Sequence, residues 1–144
     1  MDEADANIVD WVHFERARAE LGSGFIRILS YFREDGTKSV SQIEQAMREQ
    51  NTAALVIPAH TIKGEARQFG AEPLAAVAEL IESTARLCVE TRRFPDELIK
   101  DVVELRNLFN QTMELFDKAT NPLVARSGSG GFGRRVANQD FGRI

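Results

Sequence analysis

The sequence predicts an all-α fold, an up-and-down four-helix bundle with a short N-terminal capping helix, and three observations carry that prediction. Apolar residues recur at alternating steps of three and four through several long segments, the spacing of a helix with one buried face. Strand signals are almost absent, with no long alternating runs and few clusters of β-branched residues. Glycine and proline fall where the periodic segments would need short connections between long helices.

In chain order, a short helix at roughly 10–20 offers Trp11, Phe14, Ala17 and Leu21 to cap one end of the core. A stripe then begins at Phe25, Leu29 and Phe32 and resumes at Val40, Ile43 and Met47. Asp35-Gly36-Thr37 lies between, but the phase is kept across it, which predicts one long helix near 22–50. Glycine inside that helix costs about 1 kcal/mol relative to alanine, an amount packing can absorb. Leu55, Ala59, Ile62, Ala66 and Phe69 form the next stripe, within which Pro58 removes the bond to the Ala54 carbonyl and predicts a kink. Gly70 is a natural helix stop and Pro73 a natural first-turn residue, so the chain reverses near 71–72. Leu74, Ala78, Ile81, Ala85 and Cys88 continue the pattern on the way back. The last stripe is Leu98, Val102, Leu105, Phe109, Thr112, Phe116 and Ala119, with Pro95 and Asp96 as its entry residues.

Periodicity stops at Asn121-Pro122, and Ser127-Gly128-Ser129-Gly130-Gly131 follows, a flexible composition. The expected organisation is an N-terminal extension at 1–9, the bundle at 10–119 and a Ser/Gly/Arg-rich tail at 120–144. The tail carries four arginines against Asp140, a net +3, which leaves about -7 on the rest of a chain whose total is -4. Phe132 and Phe141 are its candidate anchors for a partner.

Bulk properties narrow the function. With 144 residues, 43% hydrophobic and 28% charged, the chain has the size and balance of one globular domain. Its net charge gives no reason to expect nucleic acid as a partner. No apolar run reaches the roughly 18–20 residues of a membrane span, and the acidic start Met1-Asp2-Glu3-Ala4-Asp5 lacks the layout of a signal peptide. Cys88 is the only cysteine, so no intramolecular disulfide is possible and a cytoplasmic setting is expected. It falls on a core stripe and reads as inert packing. Two histidines and one cysteine at unrelated spacing make no metal site.

The chemistry concentrates at Ala59-His60-Thr61-Ile62-Lys63-Gly64. His60 follows the core residue Ala59, about 100° round the helix and off the buried stripe. Lys63, Gly64 and Arg67 stand at its +3, +4 and +7 positions on the same strip. A neutral imidazole nitrogen can accept a phosphoryl group as a labile phosphoramidate. An ammonium one turn away stabilises the charge on that group, and glycine leaves room for a partner to approach. Across the reversal at 71–72, facing positions sum to about 143, which sets His60 level with Glu82 and Ser83, with Arg86 one turn on. Glu82 is placed either to accept from Nδ1–H of His60, raising its basicity and leaving Nε2 to attack, or to pair with Lys63. His13, followed by Arg16 and Ala17 with no matching hairpin, reads as a surface helix residue.

This run, with Phe69-Gly70-Ala71 and Leu74-Ala75 after it, resembles the signature of the histidine-containing phosphotransfer (HPt) domain of bacterial multistep phosphorelays. Weaker likeness extends over roughly 10–119, including Trp11-Val12-His13-Phe14, Glu20-Leu21-Gly22 and Phe25-Ile26-Arg27. The resemblance implies a four-helix bundle that relays phosphate between aspartates of response-regulator receiver domains, supplied through a hybrid histidine kinase, with no kinase activity of its own. His60 matches the phosphorylated residue, Lys63 and Gly64 its neighbours, and Glu82 the hydrogen-bonding partner. The receiver is expected to bring the Mg²⁺, with no cofactor on this chain. Docking is expected over Ile57, Thr61 and Ala71, with Arg67 and Arg86 at the rim, and the protein is expected to be a monomer. The chain departs from the family where many members carry an amide in place of Glu82, and where Glu65 and Arg67 make the strip more charged. Two other classes fit less well: a receiver-binding adaptor that carries no phosphate, and a domain derived from a histidine kinase, which would be a dimer with His60 near its axis.

Overall fold

The computed structural model describes residues 7–121. Residues 1–6 of the expected extension at 1–9 and residues 122–144 of the expected tail at 120–144 lie outside these, as do Phe132 and Phe141. All regular structure among the described residues is helical: α1 (Trp11–Leu21), α2 (Phe25–Arg48), α3 (Val56–Gln68), α4 (Glu72–Thr91) and α5 (Ile99–Thr120), with 3₁₀ turns at Gly22–Gly24, Ala53–Leu55 and Asp96–Leu98. The chain divides into two units, Met1–Met113 and Glu114–Ile144. The bundle described here lies in the first; in the second, Leu115 and Phe116 on the final turns of α5 are buried.

Helices α2 to α5 run up and down, and α1 caps one end. The stripes read from the sequence are the buried faces: Leu55, Ala59, Ile62, Ala66 and Phe69 are fully buried, as are Leu74, Ala78, Ile81, Ala85 and Cys88. Small residues on both faces let α3 and α4 lie close together, the most extensive helix pairing among the described residues. A chain of ring contacts then joins the other elements. Phe14 of α1 meets Phe25 of α2 at 5.3 Å, Phe25 meets Phe69 at 5.8 Å, and Phe69 stacks on Phe32 at 5.6 Å. Phe32 reaches Phe109 of α5 at 6.0 Å. Beyond burying apolar area, such pairs contribute about 0.5–1.5 kcal/mol each.

The helix ends have local causes. Asp10 caps α1, its Oδ1 accepting from the Val12 and His13 amides at 3.1 and 3.2 Å. Helix α3 closes on Gly70 at φ +83°, with the Ala71 amide donating to the Ala66 carbonyl at 2.9 Å. The same closure recurs after α2 and α4, where Gln50 and Arg92 take the left-handed conformation. At Gly70 a side chain is doubly excluded, because a Cβ would stand 2.7 Å from the Asp10 carbonyl oxygen. The Gly70 carbonyl in turn accepts from the Asp10 amide at 2.9 Å, so the α3–α4 turn is fastened to the start of α1. His13, expected on the surface, is half-buried against this turn.

Pro58 does not kink a helix interior. It is the third residue of α3, in a first turn whose amides lack helical partners anyway, and the adjustment is made by the 3₁₀ turn at Ala53–Leu55 before it. Helix α2 is continuous through Gly36, as the phase of its stripe predicts. The structure supplies a reason for the glycine there: an added Cβ would collide with Cε1 of the Phe109 ring. One turn farther along, Arg106 of α5 donates to both carboxylate oxygens of Glu44 on α2, at 2.9 and 2.7 Å.

Because α2 and α5 touch backbone to ring at Gly36, the Gly36→Ala variant should lose about 1–3 kcal/mol of stability. Urea denaturation would show this as a lower midpoint at unchanged slope. Unchanged stability would mean that the Phe109 ring gives way freely.

Candidate functional site

His60 stands on α3 with its side chain 59% exposed, while Glu82 across the hairpin on α4 is only 7% exposed. Nδ1 of His60 lies 3.0 Å from Oε2 of Glu82. With Nδ1 engaged as the donor, Nε2 is the ring nitrogen left to react. Lys63, one turn on from His60, sets its ammonium 2.8 Å from Oε1 of Glu82, as an ion pair rather than an aligned hydrogen bond. Arg86, one turn along α4, donates from Nε at 3.0 Å to Oε2 and brings a terminal nitrogen to 2.9 Å from the same oxygen. Both sequence alternatives for Glu82 therefore hold at once: it bonds His60 and pairs with Lys63.

Burial by itself would raise the Glu82 carboxyl, but Lys63, Arg86 and His60 outweigh it and hold the group at about 2. Glu82 is thus ionised throughout the neutral range. Gly64, exposed beside the imidazole, has nothing within 4 Å of where a Cβ would be, so its own fold does not require a glycine. Arg67 pairs with Glu79 across the same hairpin, two turns beyond the histidine.

The expected docking residues separate. Ile57 is 69% exposed one turn before His60, at the rim of a groove of about 400 Å³ between α2 and α3. Thr61 is half-buried, and Arg67 and Arg86 are exposed. Ala71 cannot contribute: it is fully buried, its amide closes α3, and its methyl is turned into the core. Glu65 also leaves the strip, since its carboxylate turns toward Asp35 of α2. Sequence reasoning missed Leu80 and Leu87, which are 46% and 56% exposed on α4. They lie at -3 and +4 from Ser83, and that spacing from a residue level with His60 was the available signal.

A histidine anchored at one nitrogen, open at the other and flanked by cations is suited to carrying a phosphoryl group. The family model for the Hpt domain matches residues 27–115. The chain belongs to the Hpt domain family. Histidine phosphotransfer in phosphorelays, with response regulators as the interacting proteins, comes with that membership. The matched span takes in α3, α4 and most of α2 and α5, while α1 precedes it. In fold, the protein is similar to the crystal structure of histidine-containing phosphotransfer protein B (HptB) from Pseudomonas aeruginosa PAO1, with a TM-score of 0.68 and 20% sequence identity over 79% of this chain and 95% of that one. No curated protein matches the chain in sequence. No helix among the described residues of this Hpt protein is long and apolar enough to cross a membrane.

Beside the site, burial first and then the Asp35 carboxylate push Glu65 up to about 7. A carboxyl raised in the folded state favours folding below its ordinary value of 4.5, and that contribution is lost as pH rises through about 7. The Glu65→Gln variant should therefore match the wild type in stability at pH 4 and exceed it at pH 8. Urea midpoints at the two pH values check this, and a constant difference would deny that the Glu65 carboxyl is raised in the folded state.

Proposed function

We propose that His60 accepts a phosphoryl group on Nε2 from the aspartate of one receiver domain and passes it to the aspartate of another. The observation that carries this reading is the imidazole held at Nδ1 by a buried, ionised Glu82 beside a glycine whose missing side chain faces open space. Lys63 stabilises the phosphoryl charge in transit, with Arg86 as a second cation nearby. Glu82 orients the ring. Ile57 and Leu87, level with each other across the hairpin one turn from His60, supply the apolar edge of the docking surface, and Leu80 borders the other side.

The receiver contributes the aspartate and a Mg²⁺ that neutralises the phosphoryl oxygens during transfer. The protein works as a cytoplasmic monomer fed by a hybrid histidine kinase. Both phosphorylated states are high in energy, so transfer runs in either direction without net hydrolysis.

Purified protein mixed with phosphorylated receiver domains should acquire acid-labile phosphate, and His60→Gln should acquire none. A folded wild type left unlabelled by every receiver would turn the reading into that of a receiver-binding adaptor. Lys63→Ala should keep the fold and transfer about ten- to a hundredfold more slowly; full-rate transfer would refute its electrostatic role. Gly64→Ala should gain up to about 1 kcal/mol of stability from helix propensity and yet transfer at least about tenfold more slowly, a barrier rise of ~1.4 kcal/mol. Rapid transfer by that variant would show that clearance at Gly64 is unimportant.

A further inference from the structure

We propose that Glu82 keeps Nδ1 of the phosphorylated His60 ring protonated, so that the phosphoryl group is held in a transferable imidazolium form and passed on rather than stored. The inference rests on the relay reading above and adds to it what happens after the group has arrived.

The chemistry turns on one proton. When Nε2 attacks, its lone pair forms the P–N bond while the P–O bond to the donor aspartate breaks and its electron pair returns to the receiver's carboxylate. The ring already carries Nδ1–H, so the product is a phosphoryl imidazolium with one positive charge. If the Nδ1 proton were then lost to water, onward transfer would have to expel an imidazolide anion, a poor leaving group. With the proton kept, breaking the P–N bond returns the pair to Nε2 and releases neutral imidazole. No proton then moves at Nδ1 in either direction.

Glu82 is built to keep that proton in place. Its Oε2 is 3.0 Å from Nδ1 and its side chain is 7% exposed, so its charge acts on the ring with little screening by water. A carboxylate is a far weaker base than imidazole, so Glu82 does not remove the proton itself. The charged groups around it are Lys63 from α3 and Arg86 from α4, with the Arg67–Glu79 pair one turn away. An arriving phosphoryl group brings two negative charges that compete for Lys63 and Arg86. This leaves the Glu82 charge facing the imidazolium. A neutral amide at this position could accept the same hydrogen bond but would place no charge against the ring.

The test uses the small-molecule donor phosphoramidate to phosphorylate wild type and Glu82→Gln. Nitrogen NMR of the His60 ring, followed against pH, reads the midpoint at which Nδ1 of the phosphorylated ring loses its proton. The wild-type midpoint should lie at least about one pH unit above that of the variant, and at alkaline pH transfer to a receiver should be about tenfold faster. A second comparison needs no variant: the wild-type midpoint should fall by a similar amount when the phosphorylated protein is unfolded in urea. Equal midpoints in the two proteins, or no change on unfolding, would overturn the inference alone. A wild type that takes no phosphate on His60 from phosphoramidate or any receiver would overturn the relay reading and this inference with it.

Discussion

The buried carboxylate of Glu82 is the constraint on which the site depends. A carboxylate out of water is costly unless cations and donors meet it, and here His60, Lys63 and Arg86 all do so. Satisfying that one group fixes three side chains from two helices. The imidazole is turned so that Nδ1 points inward, the ammonium is drawn to within reach of the same spot, and the guanidinium is laid along α4. Chemistry at an exposed histidine thereby acquires the order of a buried site.

The hairpin makes this arrangement available. Glu82 meets His60 only because α3 and α4 approach closely through alanine-rich faces and because the turn at Gly70 sets their register. Gly70 is held in place by its contact with Asp10 at the start of α1, so the capping helix, which lies outside the span matched by the family, supports the turn that aligns the site. The glycines divide into distinct roles. Gly70 supplies a backbone conformation and a close approach, Gly36 makes way for the Phe109 ring inside the bundle, and Gly64 leaves open space outside it.

The helical faces were legible in the sequence because a single period governs burial along each one. The stripes through Leu55 to Phe69 and Leu74 to Cys88 needed no knowledge of the partner helix, and the equal-height rule across 71–72 sufficed to set Glu82 beside His60. Sequence spacing also brought together His60, Lys63 and Gly64, since residues three and four apart share a helix face. The same reasoning failed at Ala71, which belongs to the turn, and at His13, which packs against it from α1. There the direction of a side chain follows from the closing hydrogen bonds and from what packs over them rather than from a period.

Local periodicity therefore determined the helices, their buried faces and the strip that carries the histidine. Tertiary structure alone decided that Glu82 engages three cationic or donor groups together, that Gly36 is shaped by a ring 73 residues away in the chain, and that Glu65 turns toward Asp35. Each of these depends on distances between atoms of different helices. A one-dimensional pattern records which face a residue occupies, but charge pairing and steric exclusion act through space and are set only when the helices have packed.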